Sequence, residues 1–156
     1  MILLIVGLSI LAAVIDQIIK IIVVNNLKPV SSVELIPNLV SFTYVENKGA
    51  AFGILANARW VFILFTILII IALFVYIIKK KINSKLFITS AILIIGGGIG
   101  NLVDRIFLGY VVDFIKISFF PPAFNFADCC VTIGAVLMVI YLLFFTDFKD
   151  EKKING

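Results

Sequence analysis

The sequence predicts an all-α membrane protein with four transmembrane helices and a small extracytoplasmic β-sheet. Of its 156 residues, 63% are hydrophobic and only 14% are charged, and the mean hydropathy is +1.24. A soluble domain has about 45–50% apolar residues. Four apolar segments of this chain each approach the roughly 20 residues with which a helix spans about 30 Å of hydrocarbon. Lipid is therefore the expected solvent for most of the surface.

The predicted helices cover residues of about 1–24, 58–79, 86–107 and 124–146. Backbone groups in hydrocarbon must bond within their own segment, which makes each span a helix. The first span carries Asp16 and Lys20, whereas the other three contain uncharged stretches of 18 or 19 residues (60–78, 86–103 and 129–146). Residues 1–15 lack the basic region and the cleavage site of a removable signal peptide. We expect one membrane domain covering residues 1–156, with no separate soluble domain.

The distribution of basic residues predicts the orientation. Seven lysines lie between the second and third spans or after the fourth, against four basic residues in the other two loops. The seven are Lys79, Lys80, Lys81, Lys85, Lys149, Lys152 and Lys153. The positive-inside rule then places both termini in the cytoplasm and loops 25–57 and 108–123 outside. These cytoplasmic lysines account for the net charge of +4, so no nucleic-acid partner is expected.

The first outer loop is predicted to contain short strands. β-Branched residues surround Glu34, and alternation follows between Val40 and Tyr44. Turn residues at Pro37-Asn38 and Asn47-Lys48-Gly49 interrupt the pattern. We expect these strands to form a small sheet on the membrane surface.

The second outer loop is predicted to be a short connection that re-enters the fourth span. Gly109 lies at one end of this loop, and Pro121-Pro122 lies at the other.

Polar side chains gather at the outer end of the predicted bundle. They are Asp16 and Lys20 on the first helix, Asn101, Asp104 and Arg105 on the third, Asp113 in the following loop, and Asn125 and Asp128 at the start of the fourth. A charge at the centre of a membrane helix costs about 2.5–3.5 kcal/mol on insertion scales, and less near the interface. Snorkelling explains any one of these residues, and a surface i,i+4 pair is an alternative interpretation of the first two. Convergence of three helices and a loop at one depth favours a functional site.

Carboxylates are the remaining candidates for chemistry. The chain has no histidine, which excludes Ser-His and Cys-His nucleophile pairs and histidine-containing zinc sites. Cys129-Cys130 is predicted to serve helix packing. Two aspartates held together share a proton, so one can activate water while the other protonates a carbonyl, which is peptide hydrolysis. Asp113 and Asp128 are the natural pair, and no metal ion or cofactor is expected.

Two other classes of protein remain as alternatives. A small four-helix transporter also keeps membrane carboxylates, usually around a cavity at the midplane. A metal-dependent lipid phosphotransferase places several aspartates around Mg²⁺. The spacing of Asp104, Asp113 and Asp128 does not put them on one helical face as a preassembled ligand set.

Five motifs, taken together and in order, resemble those of the bacterial lipoprotein signal peptidases, also called signal peptidase II. They are "DQIIK" (residues 16–20), "ENKGAAFGIL" (46–55), "GNLVDR" (100–105), "VVDF" (111–114) and "FNFAD" (124–128). The resemblance covers all four predicted helices and the first outer loop.

The resemblance implies an intramembrane aspartyl endopeptidase of the bacterial cytoplasmic membrane. Such an enzyme cleaves prolipoprotein signal peptides just before a diacylglyceryl-modified cysteine and works among membrane lipids. We expect a monomer, because one chain suffices for this mechanism. Asp113 and Asp128 match the catalytic dyad of the family. The matching supporting residues are Asn47, Asn101, Arg105, Asn125, Asp16, Lys20 and Asp104. The resemblance also implies a β-cradle formed by the predicted strands and a short helix in the second outer loop.

Overall fold

A computed structural model describes residues 1–49, 58–80 and 82–145, which form four helices and one four-stranded sheet. The helices are α1 (Ile2–Asn26), α2 (Arg59–Lys80), α3 (Lys85–Phe107) and α4 (Phe126–Phe144), and the strands are β1 (Ser32–Ile36), β2 (Val40–Asn47), β3 (Val111–Ile117) and β4 (Phe120–Phe124). The later part of "ENKGAAFGIL" (residues 50–55), Lys81 and the lysines at 149, 152 and 153 lie outside the described residues.

All four helices are long and apolar enough to cross a membrane. They contain 19 to 25 residues, and their most apolar windows have mean hydropathies of 2.0 to 3.3. Their outward surfaces are apolar, as illustrated by Leu3, which is 87% exposed. Such a surface fits lipid as its surroundings. The predicted class, four membrane-spanning helices with a small sheet, is confirmed.

Helix α3 occupies the centre of the bundle and packs against each of the other three helices. Two of its glycines permit these close approaches. A Cβ atom at Gly97 would collide with the carbonyl oxygen of Ala127 on α4, and one at Gly100 would lie 2.6 Å from a carboxylate oxygen of Asp16 on α1. The absence of side chains here brings three helices together at the level of the polar residues.

The two ends of the bundle differ in chemistry. At the end away from the sheet, Phe87 packs its ring edge-to-face against Tyr141, with centroids 5.1 Å apart, and is buried among Ile5, Ile77 and Ile95. The other end, called the sheet end from here on, receives the last turns of α1 and α3 and the first turns of α2 and α4. Apolar packing therefore holds one end of the bundle, and the polar groups collect at the sheet end.

The sheet is antiparallel, with the strand order β1-β2-β3-β4. Strands β1 and β2 come from the first outer loop, as predicted. Strands β3 and β4 form a hairpin from the second outer loop, so both the predicted short connection and the short helix implied by the resemblance are wrong. The β-branched and aromatic run of β3 pairs with β2, and Val45 lies opposite Asp113 in that pairing. An apolar run as short as β3 does not by itself distinguish a strand from other structures, and it is recognised as a strand only through its pairing with β2.

Candidate active site

Two neighbouring elements at the sheet end carry the paired aspartates. Asp113 lies on β3 and is 1% exposed, and Asp128 lies in the first turn of α4. Asn125 caps α4: its side-chain oxygen accepts the Asp128 N–H at 2.8 Å, and the Asp128 carboxylate accepts the Asn125 N–H at 3.2 Å. This reciprocal capping box both starts the helix and fixes the direction of the Asp128 side chain.

Two asparagine amides join the carboxylates. The Nδ2 of Asn125 donates to Oδ1 of Asp113 at 2.6 Å and to Oδ1 of Asn101 at 3.1 Å. The Nδ2 of Asn101 in turn donates to Oδ1 of Asp128 at 2.8 Å. The pair predicted from the sequence is thus brought into one hydrogen-bonded chain that runs through α3, β3 and the start of α4.

Asn47, the last residue of β2, completes the contacts of Asp113. Its Nδ2 donates to Oδ2 of Asp113 at 2.8 Å, while its own side-chain oxygen accepts the N–H of Gly49 at 2.9 Å. Both oxygens of the Asp113 carboxylate therefore accept a hydrogen bond from an asparagine. The pairing of β2 with β3, in which Asn47 lies opposite Val111, places this amide two residues from Asp113 along the ladder.

The environment of Asp113 favours its protonated form. Burial, aided by the negative charge of Asp128, raises the pKa of Asp113 to about 7, against the hydrogen bonds from Asn47 and Asn125 and the charge of Lys20. Near neutral pH this carboxyl is therefore present in both its protonated and its ionised form. A carboxyl pair that holds one proton supplies an acid and a base at the same place.

This raised pKa predicts a pH-dependent cost in stability. Because the pKa of Asp113 is about 7 in the folded protein and 3.8 as an ordinary aspartate, the folded protein retains a proton that the unfolded chain releases between about pH 4 and pH 7. Stability contributed by that proton is lost as the pH rises through this window. Asp113→Asn is expected to remove this pH-dependent loss. Relative to the unsubstituted protein, the free energy of unfolding of the variant should therefore rise by up to a few kcal/mol at pH 8 and by little at pH 4.

Thermal unfolding in detergent at four pH values between 4 and 8 measures this effect. Glu34→Gln removes an exposed carboxylate from the same sheet and is the control. Melting curves of Asp113→Asn that keep a constant distance from those of the unsubstituted protein at every pH would contradict the prediction.

A second buried cluster surrounds Lys20. Its Nζ lies 2.8 Å from Oδ2 of Asp16 and 2.9 Å from Oδ2 of Asp104, and it donates to Oδ1 of Asn101 at 2.9 Å. Asp16 is fully buried and Lys20 is 3% exposed. The alternative that these two form a surface ion pair is therefore wrong, because both point into the bundle.

The two carboxylates of this cluster also bind backbone groups. Oδ1 of Asp16 accepts the N–H of Ala127 on α4 at 2.9 Å, and Oδ2 of Asp104 accepts the N–H of Val112 on β3 at 3.0 Å. The cluster thereby fastens α1 and α3 to the two elements that carry the paired aspartates.

Gln17 belongs to this cluster and was missed by the sequence analysis. Its Nε2 donates to Oδ1 of Asp104 at 2.9 Å and to the carbonyl oxygen of Gly100 at 3.1 Å. The available signal was its polarity inside an apolar span, three residues before Lys20 and so on a similar helical face.

A cleft of about 390 Å³ opens beside Asp128, between α2, α3, α4 and β4. Its polar end is lined by Asn47, Asn101, Arg105 and Asp128. Its remaining walls are largely apolar and include Phe62, Phe65, Ile69, Ile94 and Val131. Such a cleft suits a ligand with a polar backbone and an apolar body.

Arg105 stands at the polar end of this cleft. Its guanidinium lies 4.8 Å above the ring of Phe62, a cation–π contact that holds the first turns of α2 near the end of α3. Since α2 packs chiefly on α3, the cleft lies along the side of the bundle between α2 and α4.

The arrangement of Asp113 and Asp128 with their asparagine amides suits acid–base chemistry on a carbonyl. Within residues 1–49, 58–80 and 82–145, no group of three or more His, Cys, Asp or Glu side chains is placed to hold a metal ion. The ammonium of Lys20 occupies the space between Asp16 and Asp104.

The chain resembles a set of known proteins over most of its length. A lipoprotein signal peptidase of Halothermothrix orenii is 44% identical over 127 residues, which is 81% of this chain and 86% of the relative. One of Clostridium acetobutylicum is 39% identical over 142 residues (88% and 92%), and one of Streptococcus agalactiae is 41% identical over 149 residues (95% and 94%).

The fold is similar to that of solved bacterial membrane enzymes. One, determined by the in meso method at 2.3 Å resolution, superimposes with a TM-score of 0.81 at 36% identity and covers 89% of this chain and 87% of its own. Residues 8–144 also match the family model described as signal peptidase (SPase) II. The chain therefore belongs to the signal peptidase II family, and this membership indicates a multi-pass membrane protease.

Proposed function

We propose that this protein is an intramembrane aspartyl endopeptidase that removes the signal peptide from diacylglyceryl-modified prolipoproteins, cleaving just before the lipidated cysteine. One observation carries the proposal: Asp128, which is joined to Asp113 through Asn101 and Asn125, lines the polar end of a largely apolar cleft along the side of the bundle between α2 and α4. The relatives named lipoprotein signal peptidase support this class of substrate.

The chemistry follows from a carboxyl pair that holds one proton. The ionised carboxylate takes a proton from a water molecule, whose oxygen attacks the scissile carbonyl carbon. The protonated partner meanwhile gives its proton to the carbonyl oxygen. Collapse of the resulting gem-diol breaks the C–N bond, and a proton passes to the departing amine of the cysteine. The signal peptide leaves with a new carboxyl terminus, and the pair returns to a single proton.

The depth of the cleft suits a substrate that stays in the bilayer. A signal peptide is an apolar helix, and diacylglyceryl chains are hydrocarbon, so both reach the site from the side without leaving lipid. Phe65, Ile69 and Ile94 line the part of the cleft farther from the aspartates and face such apolar groups. The polar end provides Arg105 and the amides of Asn47 and Asn101 for the extended peptide near the scissile bond.

The proposed orientation places the sheet end on the extracytoplasmic side of the bacterial cytoplasmic membrane. Lys79, Lys80 and Lys85 lie at the opposite end, where α2 ends and α3 begins, and the positive-inside rule assigns that end to the cytoplasm, together with both termini. One chain supplies every side chain named in the site, so a monomer suffices for the reaction.

Cleavage of a purified prolipoprotein tests the proposal. The detergent-solubilised protein is mixed with a diacylglyceryl-modified precursor and, as the matched control, with the same precursor lacking the lipid. Mass spectrometry should show a product that begins at the lipidated cysteine, formed from the modified precursor alone and equally well in EDTA.

Other outcomes would contradict the proposal in different ways. Activity that disappears in EDTA and returns with Mg²⁺ would indicate metal-assisted chemistry. A complete lack of cleavage would reject the peptidase, and solute uptake by liposomes containing the protein would then favour the transporter.

A further inference from the structure

The amide of Asn101 is held in one orientation. Its oxygen accepts two hydrogen bonds, from Nζ of Lys20 at 2.9 Å and from Nδ2 of Asn125 at 3.1 Å. Its nitrogen donates to Oδ1 of Asp128 at 2.8 Å. A rotation of this amide by 180° would turn its NH₂ group toward two other donors and its oxygen toward a carboxylate. Every partner of the amide therefore favours the orientation that aims an N–H group at Asp128.

Lys20 is the one charged donor in this set, and its own position is fixed. An ammonium group has three N–H bonds, and three oxygens lie within 2.9 Å of it, from Asp16, Asp104 and Asn101. Because the side chain is 4% exposed, bulk water has little access to these bonds. Charge-assisted hydrogen bonds are about twice as strong as neutral ones, so Lys20 contributes more to the Asn101 orientation than Asn125 does.

Resting on the function proposed above, we propose that Lys20 is a positioning residue for the aspartate pair, acting through the amide of Asn101 and not by contact with substrate. The ion pairs with Asp16 and Asp104 explain why the lysine is tolerated in the bundle. The hydrogen bond to Asn101 connects it to the chemistry.

The charge of Lys20 and its hydrogen bond to Asn101 both favour the ionised form of the aspartate pair. The ionisable groups facing this region are Asp16 and Lys20 on α1, Asp104 and Arg105 on α3, Asp113 on β3 and Asp128 on α4. The positive charge of Lys20 lowers the pKa of Asp113, against the stronger effect of burial. Removal of that charge should raise this pKa further, so the acidic limb of the activity profile moves to higher pH.

Lys20→Met tests the positioning role, since methionine keeps an unbranched chain without the ammonium. We expect kcat for cleavage to fall about 100-fold, the effect of a small misplacement of a catalytic group, with KM changed by less than about 3-fold. The lower limb of the profile of kcat against pH should move to higher pH. Lys28→Met removes an exposed lysine just after α1 and outside the site, and should leave both quantities unchanged.

A second variant separates positioning from folding. Lys20→Met leaves two buried carboxylates without a cation, so Lys20→Met with Asp104→Asn, which removes one of those charges, is measured beside it. Both are compared per folded molecule, as judged by thermal unfolding. Asn101→Ala should show nearly the full loss, and adding Lys20→Met to it should cost less than about 3-fold more, because the amide through which the lysine acts is already gone.

Three outcomes would overturn the positioning role and leave the proposed function standing. They are an unchanged pH profile and kcat per folded molecule, effects of Lys20→Met and Asn101→Ala that multiply, and failure of both lysine variants to fold. The last would assign Lys20 to stability alone. A lack of cleavage by the unsubstituted protein would instead overturn the proposed function, and the positioning role with it.

Discussion

Asp113→Asn and Asp128→Asn are each expected to lower kcat/KM for a diacylglyceryl-modified prolipoprotein by at least about 10³-fold while the protein stays folded. Asparagine has nearly the size of aspartate and forms hydrogen bonds with the neighbouring amides, but it neither takes a proton from water nor gives one to a carbonyl. General acid–base catalysis by one positioned group typically contributes about 10²–10⁴-fold. Each variant removes one of two groups that act together.

The double variant sharpens this test. Because the two carboxyl groups act as a unit, Asp113→Asn with Asp128→Asn should be hardly less active than either single variant. Glu34→Gln, in which an exposed carboxylate of the same sheet is neutralised, should retain full activity. If either single variant keeps more than about a tenth of the activity, these two aspartates are not the catalytic pair. The thermal unfolding curves provide the check that each protein is folded.

Asp104→Ala is expected to lower the free energy of unfolding by about 3–5 kcal/mol, more than the other single substitutions, because it leaves a buried ion pair with one partner missing. Lys20 would lose one of its two carboxylates, the N–H of Val112 would lose its acceptor at 3.0 Å, and Gln17 would lose its 2.9 Å bond. Asp104→Asn keeps an oxygen for the Val112 N–H but removes the charge, so its loss should be intermediate.

Unfolding by denaturant or heat in detergent micelles measures these losses, with activity assayed on the folded fraction. The exposed ion pair between Lys28 and Glu46, 3.2 Å apart, is the matched control, since its side chains are 50% and 37% exposed. Surface pairs contribute about 0–1 kcal/mol, so Glu46→Gln should have a small effect. Equal losses of stability in Glu46→Gln and Asp104→Ala would show that burial of the Lys20–Asp104 ion pair adds nothing to stability.

The spans and the candidate residues were predictable because they depend on local composition and spacing. Hydrocarbon leaves a long apolar segment no stable choice other than a helix, and α1 to α4 begin and end within about two residues of the predicted limits. Charged residues are so costly in such segments that Asp104 and Arg105 stood out individually. The turn residues that flank β1 and β2 were likewise recognisable from the sequence.

Residues far apart in the chain determined the remainder. The hairpin of β3 and β4 was missed because a strand of seven residues is recognised by its partner, and β2 lies more than 60 residues earlier. Gln17 gained its role from Asp104, 87 residues away. The burial of Asp16 follows from a bond to the N–H of Ala127, 111 residues further along. Periodicity within one helix contains no information about such partners.

By itself, the sequence determined that this protein spans a membrane four times and keeps its polar side chains at one end. The reason is that the cost of a charge in lipid acts on each residue separately. Only the tertiary structure decided what those side chains do to one another: that two amides join Asp113 to Asp128, and that the ammonium of Lys20 donates a hydrogen bond to one of them. The direction of a hydrogen bond and the burial of a side chain depend on atoms from different elements. Here α3 brings those atoms together, because its glycines let α1 and α4 pack closely against it.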